Sequence, residues 1–280
     1  MRFANQNDRL HLVLEDGLVD VERASAGALP ADPAAALERW SDVLAWAAGV
    51  TDAETVEYVE SGLRAPSPEP RQVFAIGLNY APHAKESGFD LPKYPFVFTK
   101  TAAALAGPFG DVVVPSETID WEVELVVVIG ASAYKVSQDE AWEHVAGLTV
   151  GQDFSDRAIQ GRLGPNTQPT LAKSLPGFAP TGPYLVTPDE FADRDDIPLW
   201  CTVNGEEMQR STTAGLIFGV AELVSYLSQD IPLFPGDLIF TGTPAGVGFG
   251  RSPQIYLKPG DVVETGIEGI GTIRQRCVAP

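Results

Sequence analysis

Ile119-Asp120-Trp121-Glu122-Val123-Glu124-Leu125-Val126-Val127-Val128-Ile129-Gly130 is the stretch on which the reading of this 280-residue chain turns. Its second half is an unbroken aliphatic run, which predicts a buried strand rather than a solvated edge. Residues two apart on a strand point to the same side, so Glu122 and Glu124 share a face. Two adjacent buried carboxylates repel each other and lose hydration, so something must compensate them. A hard divalent cation does this economically, because carboxylate oxygens suit Mg²⁺, Mn²⁺ or Ca²⁺. On spacing alone an edge strand with its acidic face in water remains an alternative.

Downstream, Gly151-Gln152-Asp153-Phe154 follows the apolar run Val145 to Val150. Asp153 can therefore sit at a strand end, where a carboxylate can complete a metal site. A turn or helix-cap role is the commoner fate of an isolated Asp. Upstream, Asn79-Tyr80-Ala81-Pro82-His83-Ala84-Lys85-Glu86 places His83 and Glu86 three apart, which makes them neighbours on a short helix. A carboxylate beside an imidazole orients it and raises its basicity, as general-base catalysis requires. A surface ion pair is the alternative. The other two histidines, His11 and His144, have no comparable setting. Thr241-Gly242-Thr243-Pro244-Ala245-Gly246-Val247-Gly248 follows a strand but lacks the Gly-Lys-Ser/Thr ending of a phosphate loop. Its backbone N–H groups and Thr243 can still bind a carboxylate.

Around these motifs the chain divides in two. Residues 1–66 suggest a small N-terminal α/β domain: Leu10, Leu12 and Leu14 alternate as in a strand, Glu15-Asp16-Gly17 turns, and apolar spacing predicts a helix over Ala34–Ala48. Ala65-Pro66-Ser67-Pro68-Glu69-Pro70 carries three prolines and reads as a linker. From residue 71 to 280 many short β-rich runs are divided by Gly and Pro, which predicts a mainly β, α+β architecture of sandwich or barrel character. Helices are expected near Gln138–Val145, capped by Ser137, and near Ile217–Leu227.

Hydrophobic residues form 44% of the chain, so a sizeable core is available. Lys and Arg total 19 against 38 Asp and Glu, a formal charge of -19 that opposes binding to nucleic acid or anionic membranes. Two cysteines, Cys201 and Cys277, are too few for a disulfide scaffold or a thiol-rich zinc site. No signal peptide is visible, and the longest apolar stretch is too short for a bilayer, so a cytoplasmic location is expected.

Taken in order, IGLNYAPHAKE, PFVFTK, IDWEVELVVVIG, GQDFSDRAIQ, AKSLPGFAPTGP, VNGEEMQ and LFPGDLIFTGTPAGVG resemble the fumarylacetoacetate hydrolase family, over about Val73 to Val278. The resemblance implies that family's mixed β-sandwich roll with the N-terminal domain packed on it, and a homodimer. It places Glu122, Glu124 and Asp153 at the metal-ligating carboxylates, for Mg²⁺ or Mn²⁺. His83 and Glu86 match the dyad of the smaller members, on a segment that can order over the site as a lid. Lys173 matches the active-site lysine, Arg157 and Gln160 match substrate-contacting positions, and Thr243 lies in the loop near the bound carboxylate. Pro176 stands where members often have Asp, and Gln168-Pro169-Thr170-Leu171 replaces a frequent Trp. The additional aspartate ligand of the large members has no clear counterpart. The implied substrate is a small 2-oxo or diketo acid chelated through its carboxylate and keto oxygens, the ion holding its enolate. Hydrolysis of a C–C bond in an acylpyruvate-like diketo acid is the leading expectation. Oxaloacetate decarboxylation and isomerisation of a dienedioate use the same enolate, and a non-catalytic scaffold is the remaining alternative.

Overall fold

The computed structural model describes residues 1–51, 53–86, 88, 90–164 and 167–280. Strands β1 (Arg2–Gln6), β2 (Arg9–Leu14) and β3 (Gly17–Asp20) form a meander, and Asp20 caps the single turn α1 (Val21–Ala24). The helix expected over residues 34–48 is two helices, α2 (Pro33–Leu37) and α3 (Trp40–Ala47). Arg39 leaves the helical region between them, at φ -121 and ψ 32, and this turns Trp40 inward. The Trp40 ring then packs edge-on against Phe3 at 4.8 Å, and its Nε1 donates to Ala146 O at 3.2 Å.

Residues 65–70 are mostly buried, and both ends of the segment are tied down. Asn5 Nδ2 donates to Ala65 O at 2.9 Å, and Ser67 Oγ donates to Gly236 O at 2.7 Å. The prolines here keep the chain extended without ladder hydrogen bonds while it packs against both halves. After β4 (Leu63–Arg64) come β5 (Val73–Gly77), α4 (Ala81–Glu86), β6 (Phe96–Thr99), β7 (Leu105–Ala106) and β8 (Phe109–Val113). Then follow β9 (Ile119–Asp120), β10 (Val123–Ile129), β11 (Val145–Gln152), β12 (Ser155–Asp156), α5 (Arg157–Gln160) and α6 (Pro169–Ala172). The remainder is β13 (Ala179–Val186), β14 (Pro198–Val203), β15 (Glu206–Thr212), α7 (Val220–Asp230), β16 (Leu238–Phe240), β17 (Val262–Ile267) and β18 (Gly271–Val278).

One mixed sheet runs β3-β2-β1-β13-β11-β10-β16-β5-β6, with β4 and β7 pairing beside it. Arg2 and Phe3 pair with Val186 and Leu185, so the N-terminal strands extend the main sheet. A second sheet, β15-β14-β17-β18-β8, packs on β10, β11 and β13. The fold is therefore α+β and mainly β, a sandwich of two sheets. Every residue of β10 and β11 is buried, because these strands lie under the second sheet and inside the first. The anticipated helix over 138–145 does not form: a 3₁₀ turn spans Ala141–His144, and Val145 already pairs with Ile129. Ser137 donates its N–H and hydroxyl to Glu140 Oε2 (3.0 and 2.7 Å) and caps nothing. The later helix begins at Val220, three residues after the expected start, with Gly219 as its cap.

Candidate active site

The β10–β11 ladder builds the acidic cluster. Val123 pairs with Gln152 and Glu124 with Gly151, and the pairing runs one step further, where Asp153 N–H donates to Glu122 O at 2.9 Å. Asp153 thus sits opposite Glu122, on the face that Glu122 and Glu124 share. Gly151 is required here, since a Cβ would lie 2.4 Å from Val126 Cγ2 and 2.8 Å from Phe240. Where β9 breaks into β10, side chains replace the ladder. Gln152 Oε1 accepts from Glu122 N–H at 2.8 Å, and Gln209 Oε1 from Val123 N–H at 3.0 Å.

Ligand oxygens of Glu122, Glu124 and Asp153 all lie within 4.8 Å of one another, and all three side chains are buried. Lys173 Nζ, at the C-terminal end of α6, donates to Glu122 Oε2 and Asp153 Oδ2 at 2.6 Å each. Lys100, at the end of β6, donates to Asp153 Oδ1 and to the Lys173 carbonyl. Arg157, the first residue of α5, reaches Glu122 Oε1 and Asp120 Oδ2 at 2.7 Å through Nη2, and Gln160 Oε1 at 2.8 Å through Nη1. Glu124 is the carboxylate without a cation; among the described residues it accepts one hydrogen bond, from Gly242 N–H at 2.8 Å.

The electrostatics follow. Burial, with Asp153 and Glu122 close by, pushes the Glu124 carboxyl well above the usual range. Burial also opposes ionisation of Glu122, but Lys173 and Arg157 outweigh it and hold that carboxyl low. Burial likewise penalises the Lys173 ammonium, yet Asp153 and Glu122 raise its pKa. Three converging hard oxygen donors, one left without a counter-charge, fit a divalent cation such as Mg²⁺ or Mn²⁺.

His83 and Glu86 meet as their spacing suggested, His83 Nδ1 lying 2.8 Å from Glu86 Oε1 on α4. Asn79 anchors the start of that helix through Phe218 and Thr241. Leu78, at φ 58, turns the chain from β5 into the helix. Both Glu86 oxygens also accept from Gly246 N–H (3.1 and 3.0 Å), which latches α4 to the glycine loop. One cavity of about 490 Å³ takes its walls from the acidic cluster, Lys173, Arg157, Gln160, His83 and Thr243, together with apolar side chains. All nine candidate residues except Glu86 line this cavity, and Glu86 touches His83 from behind. Thr243 Oγ1 accepts from Gln209 Nε2 at 2.8 Å.

Two members of the cluster escape a reading of the sequence. Lys100 is 4% exposed, and its only signal is a lysine closing the apolar run PFVFT. Asp120, fully buried, accepts from Gly248 N–H (2.7 Å), Phe249 N–H (3.0 Å) and Arg157 Nε (2.8 Å). It ties the glycine loop to the cation that holds Glu122.

A two-sheet sandwich with carboxylates converging at the open ends of its central strands defines a class of proteins built to carry acid-cluster chemistry on β-strands. The chain belongs to the fumarylacetoacetate hydrolase family: residues 72–278 match the family's fumarylacetoacetate (FAA) hydrolase C-terminal domain. It is 50% identical over 208 residues to 2,4-didehydro-3-deoxy-L-rhamnonate hydrolase of Sphingomonas sp. (strain SKA58), covering 73% of this chain and 72% of that one. It is 44% identical over 217 residues to the mitochondrial oxaloacetate tautomerase FAHD2A of Bos taurus, covering 76% and 68%. The crystal structure of fumarylpyruvate hydrolase from Pseudomonas aeruginosa, in complex with Mn²⁺ and pyruvate, superposes with a TM-score of 0.69 at 36% identity, covering 75% of this chain and 91% of that one. The family comprises enzymes acting on small organic acids, with hydrolases, tautomerases and isomerases among its members. No helix among the described residues is long and apolar enough to cross a membrane.

Proposed function

We propose that this chain is a divalent-metal-dependent hydrolase that cleaves a C–C bond in a 2,4-dioxo acid. The observation that carries the reading is one cavity lined by three converging buried carboxylates and by His83, which Glu86 holds from behind. Glu122, Glu124 and Asp153 would hold Mg²⁺ or Mn²⁺. The chemistry such an ion supplies is Lewis acidity toward a chelating 2-oxo acid, which disperses the negative charge arising on the keto oxygen.

Glu86 holds His83 Nδ1, which leaves Nε2 to take a proton from water. The hydroxide equivalent adds to the distal carbonyl carbon, C4. The C3–C4 bond then breaks, its electron pair moving into the pyruvate part, and C3 is protonated to complete the products, a carboxylic acid and pyruvate. Lys173, a charged donor between Glu122 and Asp153, steadies the anionic end and the ligand geometry. Gln160 and Thr243 would contact substrate, while Arg157 has its donors on Asp120, Glu122 and Gln160 and orients the ligand carboxylate. The Sphingomonas relative is named as a hydrolase of a 2,4-didehydro-3-deoxy acid, a compound with oxo groups at C2 and C4 and a methylene between, which supports this reading.

A second reading is proton transfer alone, as in tautomerisation of oxaloacetate, which the 44% identical relative favours. Pyruvate release from acetylpyruvate and enol–keto conversion of oxaloacetate, each followed with Mn²⁺ or Mg²⁺ and with EDTA, separate the two. His83→Ala is expected to lose about 10²–10⁴ in the hydrolytic rate. Full turnover by His83→Ala sinks the dyad's role, and tautomerisation without pyruvate release moves the reading to the second.

A further inference from the structure

The outer wall of the cavity narrows the substrate class. The acidic cluster and Lys173 form a floor that is at most 5% exposed, whereas Phe96 and Phe249 line the mouth at 45% and 40%. Between floor and mouth stand Ile76, Leu78 and Phe98. Gly77 sets the position of the Phe96 ring, because a Cβ there would lie 2.6 Å from Phe96 Cδ1. Among the described lining residues, Gln160, Thr167 and Thr243 are neutral, His83 is held by Glu86, and Arg157, 5.7 Å from the Phe249 ring centroid, has its donors turned to Asp120, Glu122 and Gln160.

Among the described residues, every lysine and arginine that reaches the floor is already committed. Lys173 bridges Glu122 and Asp153, Lys100 serves Asp153 and the Lys173 carbonyl, and Arg157 serves Asp120, Glu122 and Gln160. Among the described residues, four buried carboxylates, Asp120, Glu122, Glu124 and Asp153, share this region with the three cations, which pair with all of them but Glu124. A divalent ion leaves one positive charge, and a single substrate carboxylate cancels it. A second carboxylate at the far end would meet aromatic rings and neutral amide and hydroxyl groups, losing hydration without a partner. Arg162, between cavity residues Gly161 and Gly164, is exposed and stays hydrated.

We propose that the site selects 2-oxo monocarboxylates with an uncharged distal chain and discriminates against diacids carrying a second, terminal carboxylate. The proposal rests on the 2-oxo-acid reading above and deepens it, and it disfavours oxaloacetate and dienedioates as the physiological class. Gln160 and Thr167 leave room for hydroxyl groups on that chain.

The test is calorimetric binding of 2-oxohexanoate and 2-oxohexanedioate to the full Mn²⁺-loaded chain, a pair that differs only at C6 and needs no turnover. The monoacid is expected to bind at least ~10-fold more tightly. Phe96→Arg places a guanidinium in the outer wall and is expected to shift the ratio of diacid to monoacid affinity at least ~10-fold toward the diacid. Thr167→Arg, at an exposed position, gives the same reading if Phe96→Arg does not fold. Equal or tighter diacid binding by the unmodified chain overturns the selectivity while leaving the 2-oxo-acid reading intact. A chain that takes up Mn²⁺ and binds neither acid overturns that reading itself, and the selectivity with it.

Discussion

Glu124 is the residue on which the metal reading is most exposed to test. Its carboxyl is buried beside Asp153 and Glu122 and receives one backbone N–H, from Gly242, so ionisation is unfavourable until a cation arrives. Glu124→Gln keeps the shape and removes the repulsion. In EDTA the variant is therefore expected to melt at or above the temperature of the parent chain, while its Mn²⁺ affinity falls at least ~100-fold. Mn²⁺ titration calorimetry alongside thermal melts checks both, and unchanged Mn²⁺ affinity would remove Glu124 from the ligand set. Since Glu124 must lose its proton when the ion binds, Mn²⁺ affinity of the parent chain should weaken as pH falls below that raised pKa. The shared face of Glu122 and Glu124 was legible because a two-residue period acts within one strand, over about 7 Å. Lys100 and Asp120 were not: their partners lie 53 residues away for Asp153, and 128 and 129 for Gly248 and Phe249, and nothing local marks them.

At the scale of elements, the glycine loop after β16 decides how α4 is held. Gly246 has φ +108, and a Cβ there would lie 2.2 Å from Met208 O. Its N–H meets both oxygens of Glu86. Gly246→Ala is expected to cost at least about 2 kcal/mol of stability, since both the left-handed backbone and the close approach are lost. It should also lower the hydrolytic rate beyond the loss of folded protein, because Glu86 no longer has its latch. Melting curves and turnover per folded molecule test the two parts separately, and a normally stable, fully active variant would remove the loop from this role. Local sequence marks some elements better than others. The β10 run was plain from its apolar continuity, but the helix anticipated at 138–145 gave way to a 3₁₀ turn because β11 claims Val145 for its ladder. Helical spacing over 34–48 was present, yet packing of Trp40 on Phe3 broke it in two.

For the whole molecule, the N-terminal strands matter because they complete the main sheet next to β13. Asp20 fastens that end: it caps α1 through Arg23 N–H at 3.0 Å and takes Arg9 at 2.6 and 2.9 Å. Burial alone would raise its pKa, but the Arg9 guanidinium and the Arg23 N–H hold it below the usual carboxylate value. A carboxyl depressed in the folded state stabilises above its unfolded pKa, roughly 4, and loses that contribution as pH falls through the folded value. Asp20→Asn is thus expected to cost about 1–2 kcal/mol near pH 7, with the gap to the parent chain closing below roughly pH 4. Denaturant melts at several pH values check this, and a gap that widens on acidification contradicts the assignment.

The sequence by itself determined the mainly β architecture, the buried acidic strand and the histidine–glutamate pair, because those depend on periodicities of two and near-helical spacing within a few residues. Only the tertiary structure decided that Asp153 stands opposite Glu122, that three cations are spent on the carboxylates, and that residues 1–66 join the sheet they pack against. Those are matters of ladder register and of charges brought together from distant segments, and no local pattern encodes where a lysine tens of residues away will come to rest.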